Sequence, residues 1–140
     1  MRRLSAGIVV AILGAAVSGC GFLEVGPVVG CDLKSVDNVH ESRGTPGSMD
    51  GKAKVSCNGA LSNLTFEMHG QKLVSGAFVT KYTNSVKYAP AKASKVYTGM
   101  WVAPCQSGTW RTKMRTKGTY KGQVDVSDWK YSNETKNPCG

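Results

Sequence analysis

Apolar and polar residues alternate with a period of two through much of the chain after residue 51. Ala53, Val55 and Cys57 interleave with Lys52, Lys54 and Ser56, and Leu64, Phe66 and Met68 with Thr65, Glu67 and His69. Successive side chains of a strand point to opposite faces, so the pattern predicts short strands with one buried and one wet side. Further β-rich runs are expected over 73–83, 86–88, 96–103, 109–117 and 123–131, with Gly76 inside the first and Asn84-Ser85 as the turn after it. In the last run the apolar parity changes from Val124 and Val126 to Trp129 and Tyr131, which predicts a bulge near Ser127-Asp128. Residues 35–51 are polar, contain Gly44, Pro46 and Gly47, and follow neither period, so a long loop is expected there. Trp101, Trp110 and Trp129 fall on successive predicted strands and are expected between the sheets.

The first twenty residues follow a different pattern. Arg2 and Arg3 precede Leu4–Val17, an uncharged run of fourteen residues. That is short of the roughly 20 residues a membrane-spanning helix needs, and it suits the apolar centre of a secretion signal. Val17-Ser18-Gly19-Cys20 closes the run with an aliphatic residue, two small ones and a cysteine. On these residues the start of the chain resembles a bacterial lipoprotein precursor, and the likeness covers residues 1–20 only. It implies a signal peptide over 1–19, cleavage before Cys20, a diacylglycerol on the Cys20 sulfur and an acyl chain such as palmitate on the new amino terminus. Cleavage after Ser18 or Gly19 is the alternative, and would yield a soluble secreted β-domain. Residues 20–30 are expected as the lipidated terminus and a short tether, and 31–140 as a single domain.

Cleavage before Cys20 leaves 121 residues, enough for one modest core. Cys31, Cys57, Cys105 and Cys139 are an even set in an exported chain, which argues for two disulfides. Three connectivities are open, and Cys31–Cys57 with Cys105–Cys139 is preferred. If 96–103, 109–117 and 123–131 form a meander, Cys105 and Cys139 emerge at the same end of it. The cysteine spacings fit no zinc knuckle and neither His40 nor His69 has partners at ligand spacing, so no metal and no other cofactor is expected. The fold class that follows is all-β: a small antiparallel β-sandwich, immunoglobulin-like or related, with two disulfides.

Charge is divided along the chain. Residues 20–70 carry four Lys/Arg against six Asp/Glu, and residues 71–140 carry twelve against three. The sharpest cluster is Arg111, Lys113, Arg115 and Lys117, alternating with Thr112, Met114 and Thr116. On a strand the four cations line one side about 7 Å apart, and that side must be wet. Such a face either keeps the sheet soluble or meets an anionic partner: lipid head groups, a phosphate-bearing envelope polymer or an acidic protein. Nucleic acid is not expected as a partner outside the cytosol, and no nucleic-acid motif is present. No nucleophile elbow, phosphate-cradling loop or Ser/His/Asp set occurs, and Asp125 and Asp128 read as turn or charge-balancing residues. The expected protein is therefore a non-enzymatic envelope lipoprotein, anchored on the extracytoplasmic face of the cell membrane and binding through its basic strand face. An exclusion or inhibitor lipoprotein, blocking an envelope protein or an incoming phage, is the alternative.

Overall fold

The computed structural model describes residues 21–26 and 29–140. The expected signal peptide and the lipidation site Cys20 lie outside the described residues. In chain order the strands are β1 (Leu23–Val25), β2 (Val29–Val36), β3 (His40–Glu41), β4 (Ser48–Cys57), β5 (Asn63–Val74), β6 (Ala77–Tyr88), β7 (Val96–Pro104), β8 (Thr109–Tyr120), β9 (Gln123–Val126), β10 (Lys130–Tyr131) and β11 (Thr135–Lys136). The fold is all-β, with two antiparallel sheets and two disulfides. The first sheet runs β1-β2-β4-β7, with β3 paired to the start of β4. The second runs β6-β5-β8, and β9, β10 and β11 share the remaining side of β8.

Alternation drives this arrangement. Along β8, Trp110, Thr112, Met114, Thr116 and Gly118 are buried, while the residues between them are half-buried on the opposite face. Leu64, Phe66 and Met68 of β5 and Met49, Ala53 and Val55 of β4 fill the space between the sheets. Trp101 of β7 lies at the centre, 1 % exposed, and its indole N–H donates to Thr112 Oγ1 across the sandwich at 3.0 Å. Its ring is stacked with Trp110 and with Tyr82 of β6, both at 6.1 Å between centroids. Gly51 and Gly70 are glycine because that indole occupies the place of a side chain. A Cβ on Gly70 would stand 2.7 Å from the Trp101 ring.

The disulfides close opposite ends of β4. Cys31 and Cys57 are direct register partners on β2 and β4, so this bridge lies within one sheet. Cys105, just past β7, bonds Cys139, and its N–H donates to Gly47 O at the start of β4. Each closed loop, 26 and 34 residues in separation, constrains the unfolded chain by about 3–4 kcal/mol.

Several expectations are corrected. The expected meander does not form: β7 belongs to the first sheet and β8 to the second. Cys105 meets Cys139 because β11 returns along the start of β8, where the Asn137 N–H donates to Gly108 O and the Gly108 N–H donates to Asn137 Oδ1 in a clasp beside the bridge. The expected 35–51 loop is interrupted by strand: it holds the end of β2, all of β3 and the start of β4, leaving connections at 37–39 and 42–47. Its polar residues disguised it, and two of them, Ser42 and Asp50, are buried, the latter with His40 and Lys52 beside its carboxylate. Residues 73–88 contain their turn at Ser75-Gly76, not at Asn84-Ser85. Both turn residues take positive φ, 50° and 83°, the geometry of a tight hairpin, and glycine supplies the second at no steric cost. Residues 23–25, read as tether, are the strand β1, and Val25 is fully buried against Gly118.

Substituting Gly70→Ala is expected to destabilise the fold by about 1–3 kcal/mol, the usual cost of overpacking. Urea denaturation checks this, with a lower midpoint and an unchanged slope as the outcome.

Candidate binding face

The outward side of the second sheet is built on β8. Alternation places Arg111, Lys113, Arg115 and Lys117 on it, as their spacing predicts. The face is not simply a row of solvated cations, however. Arg111 lies between two rings, its guanidinium carbon 4.0 Å from the Phe78 centroid and 4.3 Å from that of Tyr131. Lys113 Nζ stands 6.0 Å from Tyr131 and 4.4 Å from Trp129. Arg115 covers the other part of Trp129 at 4.3 Å. The order along the strand is therefore ring, cation, ring, cation, ring, cation: Phe78, Arg111, Tyr131, Lys113, Trp129, Arg115.

This ladder explains how like charges tolerate their spacing. The negative face of each ring attracts its neighbouring cations, worth about 0.5–1 kcal/mol per contact at an exposed site. Two polar contacts from β5 complete it. Arg115 pairs with Glu67, and Arg111 Nε donates to Gln71 Oε1 at 2.8 Å. Gln71 in turn donates to Thr80 Oγ1 at 3.0 Å. Lys117 has neither a carboxylate nor a ring partner among the described residues. Three of the four cations are thus engaged by rings, an amide or a carboxylate, and Lys117 has none of these among the described residues.

Trp129 is also corrected, from core to outer face. Strict alternation from Val124 would send Trp129 and Tyr131 inward. Val126 pairs with Lys117 and Lys130 with Met114, so four steps on one strand match three on the other. This is the break expected near Ser127-Asp128, and it restores the aromatic residues to the face of the cations. A second step follows, since Tyr131 pairs with Lys113 but Thr135 with Trp110.

A serine holds each step. Ser127 Oγ accepts from Thr116 N–H and Ser132 Oγ accepts from Thr112 N–H, each at 2.9 Å. The serine N–H groups return to the carbonyls of Thr116 and Thr112, also at 2.9 Å. Both hydroxyls then donate to the next backbone carbonyl, of Asp128 and Asn133. The backbone N–H and C=O groups of Thr116 and Thr112 are thereby satisfied at the slipped register.

His69 packs on this face, 4.9 Å from the Trp129 ring. Its pKa is lowered, first by burial and next by the Lys113 ammonium, with Arg115 acting in the same direction and Glu67 opposing. Asp125 lies away from the ladder and accepts from the Gly26 N–H at 3.2 Å, fastening the end of β1 to β9. Sequence reading missed the rings as partners of the cations. The odd spacing of Trp129 and Tyr131 after a bulge was the available signal, while Phe78 and Glu67 gave none without the strand register. No family model, curated protein or solved structure matches this chain.

Ser127→Ala is expected to cost about 1–3 kcal/mol, because the buried Thr116 N–H loses its acceptor; chemical denaturation measures this directly. A second outcome concerns pH. With a folded pKa below the ordinary 6.5, His69 binds fewer protons in the native state than in the unfolded chain. Stability should therefore fall as pH drops through that ordinary value, and level off once folded His69 is protonated. Melting curves from about pH 7.5 to 5 should show a shallower decline for His69→Gln than for the wild-type chain.

Proposed function

We propose that this protein is a lipid-anchored envelope lipoprotein whose work is binding an anionic partner through the outer face of its second sheet. The anchor is supported by Val17-Ser18-Gly19-Cys20 at the end of the apolar leader. Two disulfides agree with folding outside the reducing cytosol. The observation that carries the binding role is the ladder of Arg111, Lys113 and Arg115 between Phe78, Tyr131 and Trp129.

A face made only for solubility has no need of this arrangement. Scattered lysines would suffice, whereas here rings hold the guanidinium and ammonium groups in fixed places. A partner then meets cations whose side-chain freedom has already been restricted, so less ordering is lost on association. Lys117 extends the same row and supplies an unengaged charge. The surface suits a negatively charged envelope component with apolar or planar portions that can lie against Tyr131 and Trp129.

The test uses the full chain produced in a bacterial host, carrying a photo-crosslinking side chain at position 117. Intact-mass analysis of the membrane fraction should show cleavage before Cys20 and added acyl mass. Crosslinking should capture an anionic envelope component, with yield falling as salt is raised. Recovery of the chain from the cytosol, with residues 1–19 attached and thiols reduced, would falsify the proposal. So would an acylated protein whose crosslinks are indifferent to salt and to Lys113→Gln.

A further inference from the structure

We infer that the anionic partner of this face is the lipid surface to which the chain is anchored, and that the domain lies on it along its β9–β10 flank. The inference rests on the lipoprotein reading above and adds the identity and geometry of the partner.

The first observation is where the described chain begins. Gly21 and Phe22 line a cleft of about 630 Å³ with Asp32, Leu33 and Lys34 of β2 and with Asp128 and Lys130 on the opposite sheet. The amino-terminal segment therefore leaves from the flank of the sandwich, beside the bulge that carries Trp129. It does not leave from an end of the strands, since Lys130 pairs with Met114 near the middle of β8.

The exit is also held in place. β1 pairs with β2 from Leu23↔Cys31 to Val25↔Val29, and Cys31 is bridged to Cys57. Val25 is buried against Gly118, and Asp125 accepts the Gly26 N–H. Cys20 is the next residue before Gly21, so its Cα is only about 3.8 Å beyond this fixed point. An acylated Cys20 leaves no tether on which the domain could rise. Some part of the flank must touch the head-group layer.

What the flank presents is suited to that layer. On the ladder's face of β9 and β10 stand Val124, Val126 and Tyr131, 53 %, 47 % and 47 % exposed, with half-buried Trp129 between them. These apolar side chains adjoin one another on one flank, and it is a contiguous apolar strip, not a single exposed valine, that marks a contact surface. Tyrosine and tryptophan rings sit readily at head-group depth, where one end is apolar and the other wet. Lys117 borders the strip, Lys113 and Arg115 lie over Trp129, and Lys130, on the other face of β10, lines the cleft from which the chain leaves. Long cationic side chains cover apolar surface with their stems while holding the charge at phosphate level. The mature chain from Cys20 carries sixteen Lys/Arg against nine Asp/Glu, which opposes a second copy as the occupant of so basic a face.

The experiment uses acylated protein purified from membranes and placed in vesicles of phosphatidylcholine alone or mixed with phosphatidylglycerol, with and without brominated acyl chains. Trp101 and Trp110 are 1 % and 0 % exposed, so lipid quenching reports on Trp129, with Trp129→Phe as the control. Quenching is expected in the mixed vesicles, stronger than in phosphatidylcholine alone and removed by Trp129→Phe. Lys117→Gln and Lys130→Gln should each reduce the docked-to-undocked ratio about five-fold, the loss of one basic contact with an anionic surface. Circular dichroism confirms that these surface variants are folded.

Acylated protein whose Trp129 emission ignores brominated lipid in both compositions would overturn the inference and leave the anchored binding protein standing. Quenching that is equal in neutral and anionic vesicles, or a dimer formed through this flank in place of lipid contact, would overturn it as well. Absence of acyl mass on Cys20 would instead remove the reading on which it rests.

Discussion

The approach of the two sheets is set by an indole laid over glycine backbone. Trp101 comes from the first sheet and occupies the space that a side chain at Gly51 or Gly70 would need, while its N–H reaches Thr112 on the second. Burying a ring of this size is favourable only if its one polar atom is satisfied, and Thr112 does that from within the core. Thr112 is an inward residue of β8, so the same contact fixes which side of β8 faces in. Once that is settled, Arg111, Lys113, Arg115 and Lys117 must face out. The cationic face is therefore a consequence of the core.

From there the bulges decide what the cations meet. β8 is a long, regular strand, but its outer partner is divided into β9, β10 and β11, each displaced by one residue from the last. A slipped register ordinarily leaves backbone donors without acceptors, at about 1–3 kcal/mol each when buried. Ser127 and Ser132 remove that penalty with short side chains whose oxygen takes the place of a carbonyl. The gain is positional: Trp129 and Tyr131 come to lie between cations that would otherwise repel across open water. In this way a backbone irregularity becomes part of the surface chemistry.

The cysteine pairing illustrates how a sound expectation can have the wrong reason. Cys105 and Cys139 were expected to meet through a meander, and they meet because β11 returns to the start of β8 after the chain has crossed between sheets. Four cysteines in one domain offer only three pairings, so agreement with the bridge carries little information about topology. Trp129 is the opposite case. Its residue type favours the core, and only the register of its neighbours turns it outward.

Alternation, the even cysteine set and the basic row of β8 were legible in the residues themselves, because period-two patterning and charge are local properties of a strand. They determined an all-β chain with two bridges and a cationic side. The tertiary structure decided which strands share a sheet, that strands break up the 35–51 segment, and that three cations are interleaved with Phe78, Tyr131 and Trp129. Those outcomes depend on pairing between residues tens of positions apart, and a one-residue slip there reverses every side chain that follows. No local pattern records where such a slip is stable. It is stable here because Thr116 and Thr112 find serine oxygens across the strand.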